Sequence, residues 1–327
     1  MSRNSSKISR AVVGFVVLTL LFLFFAALTL TAGSTSISWS DLGFRNVPYQ
    51  NMAAQIFWEI RFPRLVAAVL SGVALAVSGL ALQTLFRNPL AGPFVLGISS
   101  GASLGVALSL LAGLSFGHFG VLGAAAVGAL GVTFLVMAVS TRFRNSTVLL
   151  VVGLLVGYFI DAVISLLIVN SDAESLRVYV SWGMGSFGRL TYDGVWIFAA
   201  AVAVGLGLVV CAMRYLNAVR LGDDFARGLG VNVRLGRGLV LLGTSILAAS
   251  ATAFCGPVAF VGIAVPHLAF MLFKISNHRV LIPGAALCGA VLCLAASLFM
   301  TLPLNAVLSL VGVPVVLWVI IRGGRGR

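Results

Sequence analysis

The chain has 327 residues, of which 60% are hydrophobic and only 9% are charged. A soluble domain has about 45–50% apolar and about 25% charged residues, so the composition excludes a cytosolic globular fold and a disordered chain. The apolar segments run without interruption for about 20 residues, the length of a transmembrane helix, whereas a β-barrel strand shows about 10 residues of alternating polarity. The composition therefore predicts an all-α, polytopic membrane protein.

Charges and Gly/Pro clusters divide the chain into about ten candidate spans. We predict them at 11–32, 63–86, 94–113, 118–140, 147–169, 193–213, 238–254, 258–273, 281–300 and 305–321. The eighth is short and contains Pro266, which is typical of a broken or tilted helix buried among others. The first has no clear cleavage site at its end, so we expect an uncleaved helix. We expect residues 1–327 to form one transmembrane domain.

The net charge of +13 comes from 21 Lys and Arg against 8 Asp and Glu. If the N-terminus is cytoplasmic, sixteen of these cations lie on the cytoplasmic side, as the positive-inside rule requires. The five cations then predicted outside are Arg45, Arg61, Arg64, Arg177 and Arg189. Topology thus explains the charge, so we expect membrane lipid but no nucleic acid as a partner, and both termini in the cytoplasm.

The residues that usually perform catalysis or bind metals are few. The four Cys and three His show no metal-ligand spacing, and the HExxH motif is absent from the sequence. Neither lysine stands in the Gly-Lys-Ser/Thr context of a P-loop. We therefore expect no catalytic residue, metal site or cofactor in this chain. If ATP drives transport, ATP and Mg are bound by another polypeptide.

Asp161 is the only acid deep within a predicted span. A charge there costs at least about 2.5–3.5 kcal/mol, which makes Asp161 a candidate proton or cation site on a translocation path. A secondary transporter that uses Asp161 is therefore the alternative function, and a passive channel is a third. The simpler interpretation is a protonated or hydrogen-bonded side chain near the outer mouth, about 21 Å from the cytoplasmic end of its helix.

Small residues recur at helical spacing in two predicted spans. Gly97, Gly101 and Gly105 lie four residues apart, as do Gly153 and Gly157. This spacing lets helix backbones approach closely, so general helix packing is the first interpretation and a pore lining the second.

The longest predicted cytoplasmic connection lies at about 214–237 and contains Leu221-Gly-Asp-Asp-Phe-Ala-Arg-Gly-Leu-Gly230. Asp223 and Asp224 can begin a helix, and Gly228 and Gly230 can end one. A short helix at the membrane surface would suit a docking partner. A solvated loop is an equally good interpretation of the composition.

The order of motifs along nearly the whole chain resembles the permease subunits of ABC importers for iron-siderophores, heme and vitamin B12. The motifs are Arg61-Phe-Pro-Arg64, Ser78-Gly79 with Gln83, Arg87-Asn-Pro-Leu-Ala-Gly-Pro93, Leu96-Gly97 with Gly101-Ala102, Trp182 with Gly185-Ser186, Leu221-Gly222 through Ala226 to Leu229-Gly230, Gly256-Pro257 with Phe260-Val-Gly262, Pro266-His267, His278-Arg279 with Pro283, and Gly312-x-Pro314 with Trp318.

The resemblance implies a BtuC-like permease fold of the type II importers, in the bacterial cytoplasmic (inner) membrane. It implies a dimer with a second permease chain, as a homodimer or heterodimer. Two cytoplasmic ABC ATPase subunits and a periplasmic or lipoprotein substrate-binding protein would complete the importer. The cargo would be an iron-siderophore, heme or cobalamin, moved by ATP-driven alternating access.

The resemblance also implies roles for three sets of residues. ATPase coupling would fall to Leu221, Gly222, Asp223, Asp224, Ala226, Leu229 and Gly230. Arg61 and Arg64 would dock the binding protein, unless they only anchor a helix end by snorkelling. Asn145, Ser146 and Thr147 would form a cytoplasmic gate, unless they only cap the fifth span.

The sequence departs from the family pattern at several positions. The stretch Ser297–Thr301 lacks the usual Asp, Arg and Glu, Phe270 replaces an Arg, and Asn277 replaces an Asp. These changes affect the expected outer docking surface and the identity of the cargo rather than the expected fold.

Overall fold

The computed structural model describes residues 2–31, 51–94, 96–114, 120–142, 146–299 and 302–324. This part of the chain is helical, with no β-strand among the described residues. The α-helices are α1 Ser2–Thr31, α2 Met52–Ile56, α3 Phe62–Phe86, α4 Ile98–Leu110, α5 Gly120–Arg142, α6 Ser146–Val169, α7 Ala173–Gly183, α8 Tyr192–Cys211, α9 Met213–Val219, α10 Asp223–Gly228, α11 Val233–Cys255, α12 Val261–Phe273, α13 His278–Ser297 and α14 Leu304–Gly324.

Each of the ten predicted spans coincides with a helix, which confirms the predicted fold class. Within the described ranges, seven helical segments are long and apolar enough to cross a membrane, and α2 with α3 forms one of them through a π-helical turn at Phe57–Arg61. The other three predicted spans are the shorter apolar helices α4, α12 and α14. The chain is therefore a multi-pass helical membrane protein.

Besides α10, three short helices are not among the predicted spans: α2, α7 and α9. The helix α7 is capped by Asp172, whose side chain accepts a hydrogen bond from the backbone N–H of Ser175. Its mixture of polar and apolar residues hides it from a search for long apolar segments. The predicted helix within 221–230 is present as α10, with Asp223 and Asp224 in its first turn.

The prediction of a broken eighth span was only partly right. The helix α12 runs without interruption through Pro266, and the irregular backbone lies before it, where Gly256 and Phe260 have φ of 78° and 65°. Its residues Gly262, Val265 and Pro266 are buried, as expected for a helix among others. Because proline has no N–H, Pro266 cannot donate to the Gly262 carbonyl one turn earlier.

The helices α3 and α11 form the centre of the bundle. In the apolar segments Met52–Phe86 and Val233–Cys255, to which they belong, 72% of the most apolar stretch is buried. The helix α3 packs against α11, α12 and α13. Gly72 lies against the backbone of Gly289 on α13, and Gly79 lies against the backbone of Gly262 on α12. These pairs leave no space for a side chain, so glycine determines how closely the central helices approach.

The glycine repeats on the third and fifth spans also serve helix packing. Gly101 packs on the backbone of Gly128 of α5, and Gly105 packs on Ala124 of the same helix. Gly97, at φ 72°, caps α4 and faces the carbonyl of Gly153 on α6. The structure therefore favours the packing interpretation of both repeats over the pore lining.

We expect Gly79→Ala to destabilise the protein by about 1–3 kcal/mol, the usual cost of overpacking a filled core. A Cβ atom at this position would overlap the carbonyl oxygen of Gly262, and a backbone atom cannot rotate away as a side chain can. The measurement is the thermal unfolding midpoint of the purified protein in detergent. Gly207→Ala is the matched control, because a Cβ atom at Gly207 meets no atom within 4 Å. Equal midpoints for both variants would contradict the close α3–α12 contact.

Candidate functional site

The segment predicted to couple to ATPases is fixed to the bundle by an ion pair. The Arg237 guanidinium of α11 donates to the Asp223 carboxylate of α10 at 2.8 Å. Both side chains are mostly withdrawn from solvent, with 10% of Arg237 and 28% of Asp223 exposed. A partly buried pair of this kind is screened less by salt than a surface pair, so α10 is held against the start of α11.

The solvent-facing side of this segment is apolar. Ala226 is fully buried beneath α10, whereas Leu221, Phe225 and Leu229 remain exposed. Phe225 and Leu229 lie four residues apart and therefore share one face. Asp224 and Arg227 form an exposed ion pair at 2.9 Å beside them. An exposed apolar patch with charged neighbours is typical of a protein-docking surface. We call Leu221, Phe225 and Leu229 the α10 patch.

A cavity of about 630 Å³ lies behind the segment, between the end of α5 and the α10–α11 corner. Three arginines line it, together with one of the two carboxylates of the segment: Arg227, Arg234, Arg237 and Asp223. Gly222 and Gly230 have φ of 114° and 74°, a backbone region that favours glycine. Both are therefore explained as the turns that begin and end α10.

Arg61 and Arg64, predicted to dock a binding protein, differ sharply in their surroundings. Arg61 is buried, and its Nη1 donates to the carbonyls of Leu30 and Thr31 at 2.6 and 2.8 Å. These carbonyls are at the end of α1, where no further helical N–H is available to bond them. Arg61 therefore caps α1, and this geometry gives it a structural task. Its predicted docking role stays a prediction.

Arg64 has fewer hydrogen bonds within the bundle than Arg61. The residue is half-buried, its Nε is a buried atom without a hydrogen bond in the described part of the chain, and its guanidinium forms no ion pair there. Among the other predicted outer cations, Arg189 donates to the carbonyls of Ser181 and Trp182 at the end of α7, and Arg177 pairs with Glu174 at 2.7 Å. Arg45 lies outside the described residues. Arg64 is thus the strongest remaining docking candidate.

Asp161 lies on the exposed surface of α6 and belongs to no potential metal site among the described residues. Burial raises the pKa of Tyr179 on α7 above its ordinary value, and the nearby negative charge of Asp161 raises it further. The carboxylate therefore lies near α7, although Asp161 itself falls within the apolar segment Val148–Val169 of α6. This placement favours the interpretation of Asp161 as a residue near the outer mouth.

Of the predicted gate residues, Asn145 lies outside the described residues. The description of Ser146 and Thr147 is limited to their backbone, in the first turn of α6. The gate therefore stays a prediction.

Two departures from the family pattern have structural partners. Ser297 bonds Thr29 at 3.1 Å, which joins α13 to α1 through buried hydroxyls. Asn277 caps α13, where its side chain accepts from the backbone N–H of Arg279 at 2.9 Å.

A polar network that the sequence does not predict lies at the end of the bundle where α13 begins. His278 is 1% exposed, and its two ring nitrogens lie 2.8 Å from the Asn217 side-chain oxygen and 3.0 Å from the Thr84 hydroxyl. The Asn217 amide also contacts Asn277 at 3.3 Å. These contacts join α3, α9 and α13. The His-Arg motif marked His278, but neither Thr84 nor Asn217 belongs to a recognisable pattern.

A bundle of apolar helices built around α3, with a short helix at one end that exposes apolar residues, is the architecture of a multi-pass membrane protein. The model of the FecCD transport family matches residues 19–322, and the chain belongs to this family. It is 33% identical over 317 residues to the vitamin B12 import system permease protein BtuC of Salmonella typhi, covering 94% of each chain. The same protein of Salmonella newport matches equally over 317 residues.

Solved structures agree with this assignment. One match is the inward-facing structure of a protein described as a metal-chelate type ABC transporter, with a TM-score of 0.83 and 29% identity over 94% of this chain and 98% of that one. A second, PsaBC from Streptococcus pneumoniae, has a TM-score of 0.50 and 17% identity, covering 78% and 89% of the chains, and supports the fold alone.

We expect Arg61→Ala to destabilise the bundle by about 1–3 kcal/mol, because two carbonyls at the end of α1 lose a charged donor that is itself buried. The thermal unfolding midpoint in detergent measures this change. Arg177→Ala is the control, since its ion pair is exposed and such pairs contribute about 0–1 kcal/mol. If both variants unfold at the same temperature, capping by Arg61 does not stabilise α1.

Proposed function

We propose that this chain is the permease subunit of a binding-protein-dependent ABC importer for a metal chelate of a large organic ligand. The observation that carries the proposal is the family membership over residues 19–322, together with 33% identity to vitamin B12 permeases across 94% of the chain. Cobalamin, an iron-siderophore and heme all belong to this chemical class. No observation favours a secondary transporter, because Asp161 is exposed rather than enclosed in the bundle.

The proposed assembly places the chain in the bacterial inner membrane, with both termini and the α10 patch in the cytoplasm. A second permease chain would complete the translocation path, and Asp161 would face its outer part. Two ATPase subunits would bind the α10 patches, and ATP and Mg would be held by those subunits. The residues 145–147 would narrow the cytoplasmic exit.

The coupling proposal rests on the way α10 is attached. The Asp223–Arg237 pair and buried Ala226 join α10 to α11, and α11 is largely buried in the bundle. A force applied to the α10 patch would therefore reach the central helices rather than bend a free loop. This is the arrangement that alternating access needs, because closure of the ATPases must move the permease.

The docking proposal rests on Arg64. A partner's carboxylate at the outer end of α3 would meet the half-buried Arg64 guanidinium, which forms no ion pair with a carboxylate among the described residues. Arg61, three residues earlier, already bonds two carbonyls of α1, so it would add positive charge rather than a contact of comparable strength. The outer side is therefore expected to bind an acidic surface of the substrate-binding protein.

The importer is tested by purifying the chain with the products of adjacent genes and identifying bound small molecules by mass spectrometry. We expect an ATPase, a binding protein and a metal chelate. Uptake into proteoliposomes should then require ATP on the side of the membrane that carries the ATPase subunits. Uptake that proceeds without ATP would overturn the proposal.

We expect Phe225→Asp to reduce binding of the ATPase subunit by at least about tenfold, since a central aromatic residue of an interface often contributes 2 kcal/mol or more. Co-purification shows whether the ATPase subunit stays bound, and a titration of the permease with the purified ATPase subunit measures the loss of affinity. Met52→Asp makes the same change at an exposed apolar residue on α2, at the opposite end of the bundle. Equal ATPase binding by the two variants would contradict docking at the α10 patch.

We expect Arg64→Ala to weaken binding of the substrate-binding protein by at least about tenfold, because truncating one partner of a desolvated charge pair costs about 2–5 kcal/mol. The affinity is measured at several salt concentrations, and the variant should lose part of the wild-type salt dependence. Arg177→Ala removes an exposed outer cation as the control. If Arg64→Ala binds like the wild type at low salt, the docking surface lies elsewhere.

A further inference from the structure

Three motifs with no role in the proposed mechanism meet at one end of the bundle. The loop after α3 carries Arg87-Asn-Pro89, α12 carries Pro266-His267, and α13 begins with His278. Together with Arg220, which follows α9, they surround a cavity of about 270 Å³. We call this cavity the α3–α12 pocket.

The polar side of the pocket is cationic. Arg87 and Arg220 are both exposed, and the described residues that line the pocket include no Asp or Glu. Arg220 uses its Nη1 to donate to the Ser276 carbonyl, which leaves its other N–H groups available. Neither arginine forms an ion pair with a carboxylate in the described part of the chain. The pocket therefore holds uncompensated positive charge.

The cationic rim has a fixed shape. His267 of α12 bonds the carbonyl of Pro89 at 2.9 Å, which holds the loop that carries Arg87. The backbone of Arg87 is left-handed, with φ of 48°, and its N–H bonds the carbonyl of Thr84 at 3.3 Å. His278, one wall of the pocket, is fixed by Thr84 and Asn217. Preorganised donors bind an anion at a lower entropic cost than mobile ones.

The other side of the pocket is apolar and continues onto the outer surface of α12. Leu80, Pro266, Phe270 and Leu281 line this side. Phe270 is 48% exposed and its neighbour Met271 is 37% exposed. An exposed apolar strip beside a cationic rim, at the end of a membrane helix, matches the two parts of a phospholipid.

We propose that the α3–α12 pocket binds the headgroup phosphate of an anionic membrane phospholipid, with Arg87 and Arg220 as its cationic ligands. Arginine bonds phosphate oxygens through charge-assisted hydrogen bonds, and basic pockets between membrane helices are typical sites for anionic headgroups. An acyl chain would lie along Phe270. Bound lipid would join the α3, α9 and α12 ends at the base of the segment that carries α10.

The test uses the full-length chain in detergent and native mass spectrometry. The probes are phosphatidylglycerol, phosphatidylcholine of the same chain length, and inorganic phosphate. The test variant is Arg87→Asn with Arg220→Gln, because asparagine tolerates the left-handed backbone at position 87. Arg142→Gln with Arg214→Gln is the control: it removes two exposed cations from α5 and α9 that do not line the pocket.

We expect the wild type and the control to retain phosphatidylglycerol in preference to phosphatidylcholine. The test variant should bind phosphatidylglycerol at least about tenfold more weakly, since each cation near an anionic surface contributes about fivefold. The single variant Arg87→Asn keeps the Arg220–Ser276 bond and should show part of this loss, which separates ligand binding from misfolding.

Three results would overturn the proposal. The first is equal phosphatidylglycerol binding by the wild type and the test variant. The second is an equal loss in the test and control variants, which would indicate diffuse attraction to the cationic end of the bundle. The third is binding of inorganic phosphate as tight as that of phosphatidylglycerol, which would make the ligand a free anion rather than a lipid.

Discussion

The bundle depends on the direct contact of helix backbones around α3. In a membrane, apolar side chains gain little by leaving lipid for protein, so helices associate mainly through close packing and polar contacts. Gly79 lies on the Gly262 carbonyl, and Gly72 lies on the backbone of Gly289. The Gly262 oxygen is free for such contact because Pro266 cannot donate to it. Two helices are thereby fixed against α3 at backbone distance.

Helix ends impose the second constraint, because their last carbonyls need donors where water is scarce. Arginines supply these donors on the predicted outer side. Arg61 bonds the end of α1, and Arg189 bonds the end of α7. An arginine that satisfies two carbonyls contributes to the fold and no longer displays its full charge. The cations predicted on this side therefore differ in function, although the positive-inside rule treats them alike.

The position of α10 connects the bundle to the proposed ATPase subunits. The Asp223–Arg237 pair joins the short helix to α11, which packs on α3, α5 and α8. The α10 patch remains exposed on the opposite face. The same short segment thus combines a rigid attachment with an unpartnered apolar surface. A loop with the same exposed residues, but without the contacts that Ala226 and Asp223 make with the bundle, would expose the apolar surface and transmit no displacement.

The sequence by itself determined the class of protein, the ten helices and the family, because long apolar segments and ordered motifs are local features. It also indicated the helix at 223–228 and the packing role of Gly101 and Gly105. The lengths of the helices, the polar helix α7 and the continuity of α12 through Pro266 were decided by neighbours in the bundle, which supply the contacts that compensate for weak local signals.

Only the tertiary structure separated Arg61 from Arg64. Three residues apart, both read as cations at the start of a span, and the burial of Arg61 against the end of α1 depends on a helix 30 residues earlier in the chain. The α3–α12 pocket and the His278 network likewise join residues from α3, α9, α12 and α13. A sequence specifies which charges and hydroxyls are present, whereas their partners are set by helix packing, which brings distant segments to the same end of the bundle.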